Sequence, residues 1–195
     1  MDNKFFTFIR PYLYFIDSGK LFRRPFGWLY GLVALINLLI PFVVLYQAID
    51  NHIFKAPAKY VFVFIIVWMV LVFVCWLGFQ LWWDRKDKVN QTSAEGDDFI
   101  ATPVFSHFIQ TVGEWLGTMI GIVGFIFALL GAIFLGRDAY MLSRQFGLGR
   151  SGVGWLAIIL LPVYGFLIIV VSRFLAEQFR ALACIANNTK KQKTS

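Results

Sequence analysis

The chain has 195 residues, 59% of them hydrophobic and only 15% charged, with 18 Lys and Arg against 11 Asp and Glu for a formal net charge of +7. A water-facing domain usually carries about 25% charged residues, so this balance excludes an ordinary soluble domain. The positive charge does not point to nucleic acid, because the basic residues stand beside apolar stretches rather than in a basic, aromatic-lined domain; attraction to anionic lipid headgroups accounts for them.

In chain order, the segment 4–22 comes first. It mixes Phe5, Phe6, Phe8, Tyr12, Tyr14, Phe15 and Phe22 with Arg10 and Lys20, the balance of an amphipathic element lying in the headgroup layer. Residues 26–47 then contain no Asp, Glu, Lys or Arg, and the same holds for 60–83, 115–135 and 153–171. Such runs of about 19 to 24 residues are long enough to cross a hydrocarbon layer of about 30 Å as helices. Twenty-five residues precede the first run, and Leu45-Tyr46-Gln47 offers no small-x-small site, so this run is expected to remain a span rather than be cleaved as a signal.

Within the first run, Asn37 is the mid-span polar residue expected to contact a neighbouring helix. Pro41, and Pro162 in the fourth run, are expected to bend their helices. Between the second and third runs lie the acidic residues Asp84, Asp87, Glu95, Asp97 and Asp98, read as a solvated loop rather than a cation site. Glu114 stands at the head of the third run, where a carboxylate suits a helix N-terminus. Gly113, Gly117 and Gly121 recur every fourth residue, with Gly124 close to the same stripe, giving one helix face on which another backbone can approach closely. After the fourth run, Arg173, Glu177 and Arg180 share a helical face and are expected to pair through the central acid. The polar, basic residues from 187 onward are expected to fray.

Thirteen of the 18 basic residues fall in the N-terminal segment, the central connection and the C-terminal tail; Lys55, Lys59, Arg137, Arg144 and Arg150 make up the other side. Because cytoplasmic segments retain Lys and Arg, both termini are expected in the cytoplasm. Cys75 and Cys184 then cannot easily meet, and His52 and His107 lie on opposite sides with no ligand cluster near either, so neither a disulfide nor a metal or other cofactor is expected.

The chain also resembles itself. A shift of 87 lays Gly113-Glu114-Trp115-Leu116 on Phe26-Gly27-Trp28-Leu29, and a shift of 97 lays Ala186-Asn187-Asn188-Thr189 on Val89-Asn90-Gln91-Thr92. This reads as an internal repeat of two helical hairpins in the same orientation. The expected fold is therefore an all-α integral membrane protein of four transmembrane helices with interfacial amphipathic flanks. The organisation is one membrane domain: a first hairpin with its interfacial segment (1–92), a cytoplasmic linker and interfacial segment (93–112), a second hairpin (113–189) and a basic tail (190–195).

From 115 to 190 the chain resembles a small bacterial two-span membrane domain family of unknown function. The likeness rests on the run 115–130, the turn Gly147-Leu148-Gly149, the Arg173-x-x-x-Glu177 helix and the ending Ile185-x-x-Asn188-Thr189. The first half departs from that pattern, with Trp76 and Gln80 where the Arg and Glu would fall. The resemblance implies a membrane hairpin in a bacterial inner membrane and no known activity.

Ser143, Ser151 and Ser172 have no His and acid arranged beside them, so no catalytic set is read and the chain is expected not to be an enzyme. The expected role is a scaffold, assembly factor or accessory subunit that meets a membrane-protein partner, or a second copy of itself, through the glycine face and basic flanks. The alternative is a small solute carrier or channel made of paired hairpins or an oligomer; the scarcity of charge within the spans weighs against it.

Overall fold

The computed structural model describes residues 9–11, 20–91, 101–136, 138–139 and 154–194. The rest of the aromatic 4–22 segment, the acids Glu95, Asp97 and Asp98, the Gly147-Leu148-Gly149 turn and the basic residues Arg137, Arg144 and Arg150 lie outside them. Four long helices carry the fold: α1 (Lys20–Asp50), α2 (Ala58–Gln91), α3 (Ala101–Leu135) and α4 (Trp155–Thr194). A single 3-10 turn, Ile53–Lys55, joins the first two, with His52 before it in the left-handed region.

Each helix contains a window apolar enough to cross a bilayer. The outer surface agrees: Trp28, Phe42, Tyr46, Trp155, Ile159 and Phe166 are all at least 64% exposed, an apolar coat that water would not tolerate on a folded chain. The protein is a four-span membrane protein. At about 1.5 Å per residue, the 40 residues of α4 extend roughly 60 Å, about twice the hydrocarbon thickness. The excess stands beyond the apolar runs, at the end of the bundle where α2 and α4 finish and α3 begins. We call this the arginine end.

The helices pack as two antiparallel pairs, α1 with α2 and α3 with α4. The direction of each pair is read from its contacts. Tyr30 meets Trp82 while the Trp68 indole donates to the Pro41 carbonyl at 2.9 Å; Gly113 faces Ser172 while Gly124 faces Leu161. Tyr30 near the start of α1 bonds Thr111 near the start of α3, so α1 and α3 run the same way and the two hairpins share one orientation. Among the described residues α4 packs along α3, and α3 in turn meets α2 along its length and α1 at the arginine end.

Glycine controls the α3–α4 contact. A Cβ on Gly117 would collide with the Gly165 carbonyl and stand 2.5 Å from Ile169 Cγ1, and a Cβ on Gly113 would collide with the Ser172 side chain. At Gly121 and Gly124 the fit is looser, with Gly165 Cα at 3.9 Å and Leu161 Cδ1 at 3.2 Å. The facing seam on α4 is Ala157, Leu161, Gly165, Ser172, Ala176 and Ala183, all buried. Its steps of four and seven residues keep one stripe on the partner helix.

A second core joins the pairs. Tyr30, Ala34, Trp82, Val89 and Val104 are buried together, with Phe108 and Trp115 packed around them. The rings of Tyr30 and Trp82 meet edge to face at 4.9 Å, and those of Trp82 and Trp115 at 6.2 Å. At the opposite end Val63, Leu135 and Ala139 form a smaller cluster.

Three expectations change. Residues 101–112 do not form a separate interfacial segment but the first turns of α3, which passes through Gly113 without a break. Pro103 stands in its first turn, where a missing N–H costs little, and Ser106 and Thr111 bond back to Pro103 and His107 carbonyls, so their hydroxyls can be buried. The chain past 187 does not fray: α4 continues to Thr194, with the Thr189 hydroxyl bonded to the Ile185 carbonyl. Finally, Asp84 and Asp87 stand on the last turns of α2 rather than in a loop. Pro25, Pro41 and Pro162 lie inside continuous helices, and α3 contains two π-helical turns, Met119–Gly124 and Gly131–Leu135. The second closes with the Gly136 N–H on the Gly131 carbonyl at 3.0 Å, Gly136 adopting φ 53.

Enlarging the close contact tests this packing. Gly117→Leu is expected to lower stability by at least about 2 kcal/mol in a detergent unfolding titration. Gly31→Ala, whose Cβ would stand 4.0 Å from the nearest atom, should leave it unchanged or slightly raised.

Candidate functional site

Between the pairs, at the arginine end, α3 presents His107, Gln110 and Glu114 on one face, spaced three and four residues apart. Glu114 is 7% exposed and lies inside a continuous helix, so its carboxylate is buried and does not stand at a helix N-terminus as expected from sequence. Helix termini therefore do not stabilise it; side chains do. Arg85 of α2 donates from Nη2 to Oε2 at 2.8 Å. Arg173 of α4 turns both Nε and Nη2 to Oε1 at 2.8 Å, and Gln110 Nε2 donates to the same oxygen at 2.8 Å. Gln110 in turn accepts from Arg180 Nη2 at 2.8 Å.

One buried carboxylate thus gathers cations from two helices that barely touch each other. A buried ionised carboxylate without such partners would be strongly unfavourable, and charge-assisted bonds of this length are the strong kind. The arrangement can hold α2, α3 and α4 in fixed register.

The expected ion-pair face on α4 is rearranged accordingly. Arg173 and Arg180 do not pair through Glu177: Arg173 goes to Glu114 and Arg180 to Gln110, while Glu177 is exposed and forms no ion pair among the described residues. An exposed pair spaced along one helix contributes only about 0.3 to 0.5 kcal/mol, less than compensating a buried carboxylate.

Asn37 sits deeper and is fully buried. Its Nδ2 donates to the Val33 carbonyl at 2.8 Å and its Oδ1 accepts from the Trp115 indole at 2.8 Å, joining α1 to α3. Gly78 makes the room: a Cβ there would stand 2.6 Å from Asn37 Oδ1 and 3.1 Å from the Trp115 ring. Neither Trp115 nor Gly78 is singled out by sequence as part of a polar contact. The signal in the sequence is a tryptophan four residues after Thr111 and seven after Phe108, on the same helical face.

At the far end Asp138 Oδ2 accepts from Lys59 Nζ at 2.8 Å and from the Tyr60 hydroxyl at 2.7 Å, strapping the start of α2 to the chain just after α3. These donors, Lys59 foremost, hold the Asp138 carboxyl below its usual range. The Gly113, Gly117, Gly121 and Gly124 stripe lies on the α4 side of α3, turned away from Asn37. Among the described residues no group of three or more His, Cys, Asp or Glu side chains comes together.

Two predictions follow from these pairings. Glu114→Ala leaves Arg85, only 15% exposed, facing no acid, and is expected to lower stability by roughly 3 kcal/mol, read by denaturant titration in micelles. For Asp138 the folded carboxyl titrates below the unfolded one. Its stabilisation is therefore complete above about pH 4, the unfolded value, and is lost as pH falls through the lowered folded value. The stability gap between wild type and Asp138→Asn should be constant from neutral pH to about 5 and shrink below 4. A gap that is independent of pH would mean the strap is not ionic.

Comparison with protein-family models, with curated proteins and with solved structures gives no match to this chain.

Proposed function

We propose that this protein is a non-enzymatic membrane scaffold, assembly factor or accessory subunit, working through association rather than through passage of a solute. The observation that supports this most directly is the use made of the polar groups between the helices. Asn37 is engaged by Trp115, Tyr30 by Thr111, and Glu114 by Arg85, Arg173 and Gln110, so these groups join helices rather than line a path. A coupled transporter needs an intramembrane ionisable group able to change partners. The ionisable group here, Glu114, is held in several bonds of 2.8 Å.

In this reading the arginine end faces the cytoplasm of a bacterial cell, with both termini on that side of the inner membrane, in keeping with the distribution of Lys and Arg. The long extensions of α2 and α4 beyond the apolar runs then offer basic helical surface to a membrane-protein partner or a second copy, and to anionic headgroups. The resemblance of the second half to a two-span bacterial domain, and the repeat of one hairpin, belong to the same proposal.

Purification in mild detergent followed by identification of associated chains tests it. The expected outcome is a stable complex with unrelated subunits in fixed proportion. A lone homo-oligomer that moves solute across liposome membranes would overturn the reading and favour a carrier or channel.

A further inference from the structure

The arginine end holds more donors than acceptors. A guanidinium carries five N–H groups. Arg85 donates through Nη2 to Glu114, and Arg180 through Nε to the Ala176 carbonyl and through Nη2 to Gln110; no other acceptor is recorded for either among the described residues. His107 lies one turn before Gln110 on the same face of α3, and its buried Nδ1 has no hydrogen-bond partner. Arg85, Arg180, Glu114 and Lys88 all act electrostatically on its ring. Three helices therefore bring polar or cationic groups to this end of the bundle, all within electrostatic reach of His107: Arg85 from α2, His107 itself from α3 and Arg180 from α4.

The charges nearby are unequal. Arg85, Arg173 and Arg180 stand against Glu114 and the exposed Glu177, and Asp84 is already taken by Lys88. One positive charge is in excess. Its depth is set by the sequence: Arg85, Glu114 and Arg173 are at, or one residue beyond, the first charged positions next to the apolar runs 60–83, 115–135 and 153–171. That is the level of the headgroups, where a basic pocket between helices recognises lipid.

We infer that Arg85, His107 and Arg180 form a headgroup site that takes the phosphate of an anionic phospholipid from the leaflet at this end. A phosphodiester brings one negative charge, equal to the excess, and several acceptor oxygens for donors that come from three directions. A zwitterionic lipid presents the same phosphate but adds a quaternary ammonium, which the surrounding arginines repel. The inference rests on the chain spanning a bilayer and not on the scaffolding reading, since a carrier would hold the same site.

Native mass spectrometry of the full chain, given equal amounts of phosphatidylglycerol and phosphatidylcholine in detergent, tests it. Wild type should retain phosphatidylglycerol preferentially. Arg180→Gln should cut that preference about fivefold, the effect of one arginine at an anionic surface. Its thermal unfolding in lipid-free detergent should be lowered much less than that of Glu114→Ala, because Arg180 bonds the neutral Gln110 and leaves no buried charge uncompensated. His107→Phe, which keeps the ring volume, should also lower the preference, whereas Lys55→Gln at the opposite end should not. Equal retention of the two lipids would overturn the site, as would an undiminished preference in both Arg180→Gln and His107→Phe. Displacement of the lipid by inorganic phosphate at physiological ionic strength would equally overturn it, by assigning the donors to a soluble anion.

Discussion

The close approach of α3 and α4 at Gly117 and Gly165 is the constraint on which the rest of the bundle depends. With a Cβ at either position the backbones separate, and the side chains further along the pair move with them. Arg173 lies two turns past Gly165 on α4, and Glu114 one turn before Gly117 on α3. Only a tight crossing brings that guanidinium onto a carboxylate already held by Arg85 of the other hairpin. Packing without polar groups thus positions the most polar contact in the molecule. In a bilayer, where lipid tails compete equally for apolar side chains, such backbone-close packing is one of the few ways to hold two helices together.

The third helix is divided by function around its circumference. One side is glycine and meets α4. Another is aromatic and hydroxyl-bearing, with Thr111 and Trp115 turned to Tyr30, Asn37 and Trp82. Between them lies the strip of His107, Gln110 and Glu114. Among the described residues the two pairs meet chiefly through α3. Its polar and aromatic faces therefore decide whether there is one bundle or two hairpins.

Much of this architecture is legible in the residues. Charge-free runs mark the four crossings because no soluble helix needs so many, and Gly113, Gly117 and Gly121 announce a close-packed face by spacing alone. The partner of that face is harder to see. On α4 the small residues are separated by Leu161 and by steps of seven, so the seam shows only when buried positions are known. The role of Glu114 is not legible at all, since Arg85, Glu114 and Arg173 are far apart in the chain and nothing local distinguishes a buried acid from a helix-start acid. The error at 101–112 has a related cause. An amphipathic stretch before an apolar run looks like an interfacial helix, yet here its apolar side, Val104 and Phe108, is needed against α1 and α2. Asn37 is conspicuous as a lone polar residue, but Trp115 and the space left by Gly78 become visible only in three dimensions.

The two π-helical turns of α3 carry a consequence for how its two ends are matched to their neighbours. A turn closed by a bond to the fifth residue holds one residue more than the regular spacing allows, and so shifts the phase of everything beyond it by about a quarter of a turn. The arginine end of α3 and its opposite end, where Leu135 leads to Asp138, are therefore out of step with one another around the helix axis. Each end is free to be matched to its own neighbours, Glu114 to the arginines and Asp138 to Lys59 and Tyr60. With regular α-helical spacing throughout, α3 could not present Glu114 and Asp138 to both sets of neighbours at once, so the π turns set which residues face which neighbour at each end.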